Sequence, residues 1–175
     1  MPRLFIIFIL TFTFIKMNGQ TFHSCNCEAL INTDYKGEII VYDKPNGKPI
    51  KKLKNDLKEE NYLILTIDND SLGYFHVDIS YTMTESSNVV GWVRKSKAIG
   101  TFTSNYSPDD TLYLYSEPDI KSIVRSSIPE WTNQLYIIKK CFEKWVYVQI
   151  NYKGQLKEGW LPSDRQCANP YTTCN

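Results

Sequence analysis

Three short blocks of this chain occur twice, in the same order, and that duplication limits the fold more than any other feature. Ile39-Ile40-Val41-Tyr42-Asp43-Lys44-Pro45-Asn46 corresponds to Leu112-Tyr113-Leu114-Tyr115-Ser116-Glu117-Pro118-Asp119 at an offset of 73 residues. Tyr74-Phe75-His76-Val77-Asp78-Ile79 corresponds to Trp145-Val146-Tyr147-Val148-Gln149-Ile150 at an offset of 71, and Gly91-Trp92-Val93 to Gly159-Trp160-Leu161 at 68. A repeat of this kind marks one supersecondary unit written twice. The drift in offset places the length differences in the connections between blocks.

Within the blocks the apolar period is two. Phe75, Val77 and Ile79 alternate with His76 and Asp78, and Val146, Val148 and Ile150 alternate with Tyr147 and Gln149. Such alternation turns one face of a strand to a core and the other to water. Ile39 and Val41 match Leu112 and Leu114 as the inward pair. Residues 62–67 (YLILTI) and 135–138 read as further strands. Turn residues punctuate the runs at Pro45-Asn46-Gly47, Pro118-Asp119, Asp68-Asn69-Asp70-Ser71, Phe142-Glu143-Lys144 and Asn151-Tyr152-Lys153-Gly154. No segment sustains an apolar period near 3.6. Short strands at close spacing without helical patterning predict an all-β chain built of small barrels. Gly91 and Gly159 precede an aromatic inside a strand, where glycine marks a bulge or a close backbone approach.

These blocks resemble two bacterial SH3-type domains in tandem. That family opens with an alternating apolar strand and a Gly/Pro turn, as in residues 112–118. It continues with an Ile/Val pair like Ile123-Val124, a hairpin leading to Trp145-Val146-Tyr147-Val148, and a closing Gly-aromatic-apolar strand, Gly159-Trp160-Leu161. The first copy matches with residues 41–47, Gly73-Tyr74-Phe75 and Gly91-Trp92-Val93, and departs from the pattern by an insertion at residues 80–88. The resemblance implies two consecutive SH3-like barrels, residues 38–103 and 111–175 with its C-terminal tail. A linker, 104–110, joins them, and an N-terminal arm, 20–37, precedes them. It also implies a non-catalytic binding role toward cell-wall peptide or glycan, with a protein-interaction or inhibitor-like module in the periplasm as the alternative.

The chain begins Met-Pro-Arg, followed by the apolar run LFIIFILTFTFI from Leu4 to Ile15. That run is shorter than the roughly 20 residues a membrane-spanning helix needs. A basic start plus a short apolar stretch is the pattern of a secretory signal peptide. Cleavage after Gly19 is expected, although Met17 is large for the position two residues before Gly19; an uncleaved anchor is the alternative. Acylation of Cys25 is disfavoured by Phe22 and by its distance from the apolar run. The expectation is an exported protein, periplasmic or secreted, with no membrane span after cleavage.

Export permits disulfides among Cys25, Cys27, Cys141, Cys167 and Cys174. An odd count leaves at least one unpaired or paired with another chain. Cys167 and Cys174 are placed to close a short loop, and Cys25 or Cys27 to tie the N-terminal arm to Cys141. Cys25-x-Cys27 is tight for a zinc knuckle, and the chain has two histidines, His23 and His76, so no metal and no cofactor are expected.

With 20 Lys+Arg against 19 Asp+Glu, the chain lacks the basic stripe that nucleic-acid binding requires. It carries no H-E-x-x-H, G-x-S-x-G or phosphate-loop motif. His76 reads as a solvated strand residue and Cys141 as a structural one, so no catalytic residue is assigned. What remains is recognition by aromatic side chains. The candidates are Tyr42, Tyr74 and Trp92 in the first copy, and Tyr113, Tyr115, Trp131, Trp145 and Trp160 in the second. Expected partners are peptidoglycan or an envelope protein.

Overall fold

The computed structural model describes residues 23–104, 107 and 109–168, with the side chains of 84–88 excepted. The presumed signal segment and the C-terminal tail with Cys174 lie outside the described residues. The chain is all-β, with one 3-10 turn at Ser163–Arg165 and no α-helix among the described residues.

The first half contains β1 (His23–Ile31), β2 (Ile39–Tyr42), β3 (Pro49–Leu53), β4 (Leu63–Ser71), β5 (Tyr74–Tyr81), β6 (Thr84–Arg94) and β7 (Ile99–Thr103). The second contains β8 (Leu112–Tyr115), β9 (Val124–Ile128), β10 (Tyr136–Phe142), β11 (Trp145–Tyr152), β12 (Gln155–Leu161) and β13 (Gln166–Cys167). All strands join one antiparallel sheet in the order β3-β2-β6-β5-β4-β1-β7-β10-β11-β12-β8-β9, with β13 on β7. The segment β3-β2-β6-β5-β4 and the segment β9-β8-β12-β11-β10 have the same internal order, so the duplicated sequence is a duplicated strand order.

The period-two ladders bury as their pattern requires. Phe75, Val77 and Ile79 are buried, as are Val146, Val148, Ile150, Ile39, Val41, Leu112 and Leu114. Gly91 and Gly159 occupy the same place in β6 and β12. A Cβ on Gly91 would lie 2.6 Å from Val41 Cγ1, and one on Gly159 2.8 Å from the Tyr115 carbonyl oxygen. Glycine is needed there because the neighbouring strand, β2 beside Gly91 and β8 beside Gly159, leaves no room for a Cβ. The insertion at 80–88 lengthens the β5–β6 hairpin, which turns between Tyr81 and Thr84.

Three features differ from the sequence reading. Residues 20–37, read as an arm, supply β1, which sits in the middle of the sheet, paired with both β4 and β7. Its inward residues Cys25, Cys27, Ala29 and Ile31 are buried. The Asp68–Ser71 stretch is not a turn but the end of β4; the hairpin turns at Leu72-Gly73, where Leu72 has φ 52° and Gly73 φ 81°. Asp70 can lie in a strand because its buried carboxylate is fully partnered. It ion-pairs with Lys95 and accepts the Cys141 backbone N–H at 3.1 Å. Lys95 also donates to the Lys139 carbonyl at 2.8 Å. Finally, the halves do not close separate sheets. β7 pairs with β1 on one side and β10 on the other, and one connected apolar core runs from Cys25 to Leu161 through both halves.

Cys25 is disulfide-bonded to Cys141, which staples β1 to β10 across a sequence separation of 116 residues. Cys27 is free and buried. Cys167 is disulfide-bonded as well; the expected partner, Cys174, lies outside the described residues.

Candidate functional site

The outward faces of the two halves carry the same aromatic arrangement. In the first half Tyr42 pairs across the ladder with Trp92, and Trp92 with His76. In the second, Tyr115 pairs with Trp160, and Trp160 with Tyr147. Directly opposed residues share a sheet face. Each half therefore presents a row of three rings over three strands, about 10 Å across at the usual strand spacing.

The ring contacts repeat with the rows. Tyr42 meets Tyr74 edge-on at 5.7 Å between centroids, and Tyr115 meets Trp145 edge-on at 6.0 Å. His76 lies 5.0 Å from Trp92, and Tyr147 lies 5.6 Å from Trp160. These side chains are half-buried, except Tyr74, which is buried with its hydroxyl donating to Asn46 Oδ1 at 3.3 Å. Six of the eight aromatic candidates thus fall into the two rows and their flanking rings. Tyr113 is 45% exposed, one pleat from Tyr115 on β8. Trp131 stands apart from both rows: its indole N–H donates to the Thr103 carbonyl on β7 at 3.4 Å.

Sequence reading missed His76 and Tyr147 as row members. The signal that finds them is their matched offset of 71 residues combined with the outward phase of their strands. In the structure His76 Nδ1 lies 2.7 Å from Asp68 Oδ1 while the ring packs on Trp92.

The surroundings of the two rows differ. Glu158 accepts from Gln149 Nε2 at 2.7 Å and from Arg125 Nη2 at 2.5 Å. Gln149, Arg125 and Tyr147 together hold the Glu158 carboxyl below its ordinary range. Burial and the adjacent Glu158 push the Tyr147 phenol up. The Arg125 guanidinium and the Lys140 ammonium each lie 5.9 Å from the Tyr147 ring centre. In the first half Val90 stands opposite Asp78, where the second half has Glu158 opposite Gln149, and Val90 is 52% exposed. At the end of the second row lies a pocket of about 390 Å³ whose lining includes Glu117, Pro118, Lys140, Cys141 and Trp160, with His23 of β1.

Among the described residues no group of three or more His, Cys, Asp or Glu side chains is placed to hold a metal ion. The Cys27 thiol is pushed up to about 12 by burial, Asp70 and Glu28, which keeps it protonated at neutral pH. Cys141 is held in a disulfide. The chemistry these faces offer is ring stacking, cation–π contact and hydrogen bonding to a bound ligand.

No protein-family model matches the chain, and no curated protein matches it. Among solved structures the chain is similar to two NlpC proteins of Trichomonas vaginalis. The match to NlpC2 has 16% identity and a TM-score of 0.32, covering 84% of this chain and 48% of the other. The match to NlpC1 has 17% identity and a TM-score of 0.33, covering 89% and 48%. The chain spans about half the length of these structures, and a likeness of this size carries no argument about function. No helix among the described residues is long and apolar enough to cross a membrane.

Proposed function

We propose that this protein is an exported, non-catalytic binding module of two SH3-type units, each offering its aromatic row to an extended peptide or glycan of the cell wall. The observation that carries this reading is the duplication of the rows themselves. A core needs repeated inward residues to repeat a fold; it does not need repeated outward rings. Tyr42–Trp92–His76 and Tyr115–Trp160–Tyr147 keep ring character at all three outward places. Half-buried rings in a row give a shallow apolar strip with polar edges, the usual makeup of a peptide or glycan groove. The identical strand order of the two five-strand segments supports the SH3-type description, and the apolar N-terminal run with the disulfide supports export.

Sedimentation with purified peptidoglycan tests the proposal. The wild-type protein is retained, and Trp92→Ala with Trp160→Ala in one chain reduces retention at least tenfold while the circular dichroism spectrum is kept. Absence of wild-type retention, or full retention of the double variant, removes the reading. A second reading, a protein partner in the envelope, is favoured by the exposed Ile120 and Ile123 beside β9, an edge strand of the sheet. Cross-linking after wall digestion, with recovery of a partner lost on Ile123→Lys, supports that reading instead.

A further inference from the structure

The pocket at the end of the second row is not duplicated in its charges. Pro118 and Trp160 have counterparts in Pro45 and Trp92, so the frame is shared. Lys140 stands opposite Tyr147 as Asn69 stands opposite His76. At the matching offsets Glu117 replaces Lys44, and Phe142 replaces Ser71. Around a duplicated proline–tryptophan frame the second half therefore carries an acid, a base and an apolar wall where the first carries a base, an amide and a hydroxyl.

Neither charged group is used by the fold. The hydrogen bonds of Glu117 run through its backbone, which accepts from Asp119 N–H and exchanges bonds with the Ser122 hydroxyl. Among the described residues its carboxylate has no ion-pair partner, and neither has the Lys140 ammonium, which lies 5.9 Å from the Tyr147 ring centre. Both line one cavity of about 390 Å³, within the range of about 300–1,000 Å³ typical of small-ligand sites. Two opposite charges that line one cavity and are not paired with each other are free to meet a ligand carrying both complements.

The wall of the cavity is braced. Cys141 lines it and is bonded to Cys25, while β1 and the β10–β11 turn exchange backbone bonds, Asn26 N–H to Glu143 O at 2.6 Å and Glu143 N–H to Ser24 O at 2.8 Å. This sets His23 edge-on to Phe142 at 6.3 Å. A wall fixed before binding lowers the ordering cost of taking a small ligand.

We infer that this pocket binds an amine and a carboxylate borne on one carbon, the zwitterionic head of an amino acid, with Glu117 receiving the ammonium, Lys140 the carboxylate, and Trp160 and Phe142 flanking the remainder. The inference rests on the reading of this face as a peptide-binding one and names the ligand end it selects. The head belongs either to a free amino acid or to a side branch of a peptide. Titrations followed by the Trp160 indole N–H signal use glycine for the first source and Nε-acetyl-lysine, which carries the head on an amide-bearing arm, for the second. Tighter binding of glycine assigns the free amino acid; tighter binding of Nε-acetyl-lysine assigns the peptide branch. In either case, blocking the α-amine by acetylation or the carboxylate as the methyl amide weakens binding at least tenfold. Glu117→Gln erases the penalty for blocking the amine and Lys140→Gln that for blocking the carboxylate. Equal affinity of blocked and free forms, or no shift of the Trp160 signal at millimolar ligand, overturns the inference. If free and blocked forms bind alike while the wild-type protein is still retained on the wall, only this inference fails; if wild-type retention is absent, the broader reading fails.

Discussion

The two halves share a strand order and a row of rings, yet they differ in the polar and charged groups set around those rings. The first half packs His76 and Asp68 beside Trp92 and leaves Val90 bare. The second surrounds Tyr147 with Arg125, Lys140, Glu158 and Gln149, and sets Glu117 and Lys140 in a pocket at the end of its row. The inward ladder has been kept because each half must fill the same space between the same strands. The polar outward positions were free to diverge, and the divergence is where a ligand preference can arise. The comparison also has a limit: the halves are joined by β1, β7 and Asp70, so they are not two independent copies of a finished domain.

The strongest way to break the comparison is to damage one half and watch the other. Phe75→Ala removes a fully buried ring from the first half and is expected to cost about 3–5 kcal/mol. Because the core is connected, tryptophan fluorescence in variants keeping only Trp92 or only Trp160 is expected to report one shared, lowered urea midpoint. Two separate midpoints would mean that the halves unfold on their own.

Next in size is the staple. Replacing Cys25 and Cys141 by serine frees a loop of 116 residues in the unfolded chain. Stability measured by denaturant titration is expected to fall by roughly 2–5 kcal/mol, with the non-reducing wild type as reference. An unchanged midpoint would show that the backbone pairing alone fixes β1.

A smaller effect separates the outward clusters. Glu158 has a folded-state pKa below its ordinary 4.5. Its contribution is therefore complete above that value and is lost as pH falls through the lowered folded-state pKa. Glu158→Gln is expected to flatten the acid side of the stability curve, whereas substitution of Val90 in the first half leaves that slope unchanged. The readout is the urea midpoint at neutral pH and at about pH 3.

The smallest expected change lies in equivalent turns. Leu72 and Glu143 both adopt left-handed backbone, with φ of 52° and 50°. Leu72→Asn suits that conformation better and is expected to raise stability by about 0.5 kcal/mol, seen as a small rise in Tm.

Much of the fold was legible in the alternation of residues 75–79 and 146–150 and in the matched offsets, because burial on one face imposes a period that sequence displays directly. The strand β1 was harder to see. Its inward residues are two cysteines, an alanine and an isoleucine, which read as disulfide chemistry rather than as a ladder. Asp70 was misread for the opposite reason: an acid between Asn69 and Ser71 looks like a turn until Lys95 and the Cys141 amide are brought to it from distant parts of the chain. Of the candidate rings, Tyr42, Tyr115, Trp92 and Trp160 were recognisable from their blocks. His76 and Tyr147 became row members only when β5 and β11 were laid beside β6 and β12.

Sequence alone determined that the chain is all-β, that one unit is written twice, and which residues of each unit turn inward. Those properties follow from local period and repetition, which need no knowledge of distant contacts. Tertiary structure decided that Cys25 rather than Cys27 bonds Cys141, that β1 and β7 weld the halves into one sheet, and that Glu117 and Lys140 share a cavity. Each of these depends on which strands become neighbours, and neighbourhood is a property of the packed sheet rather than of any segment within it.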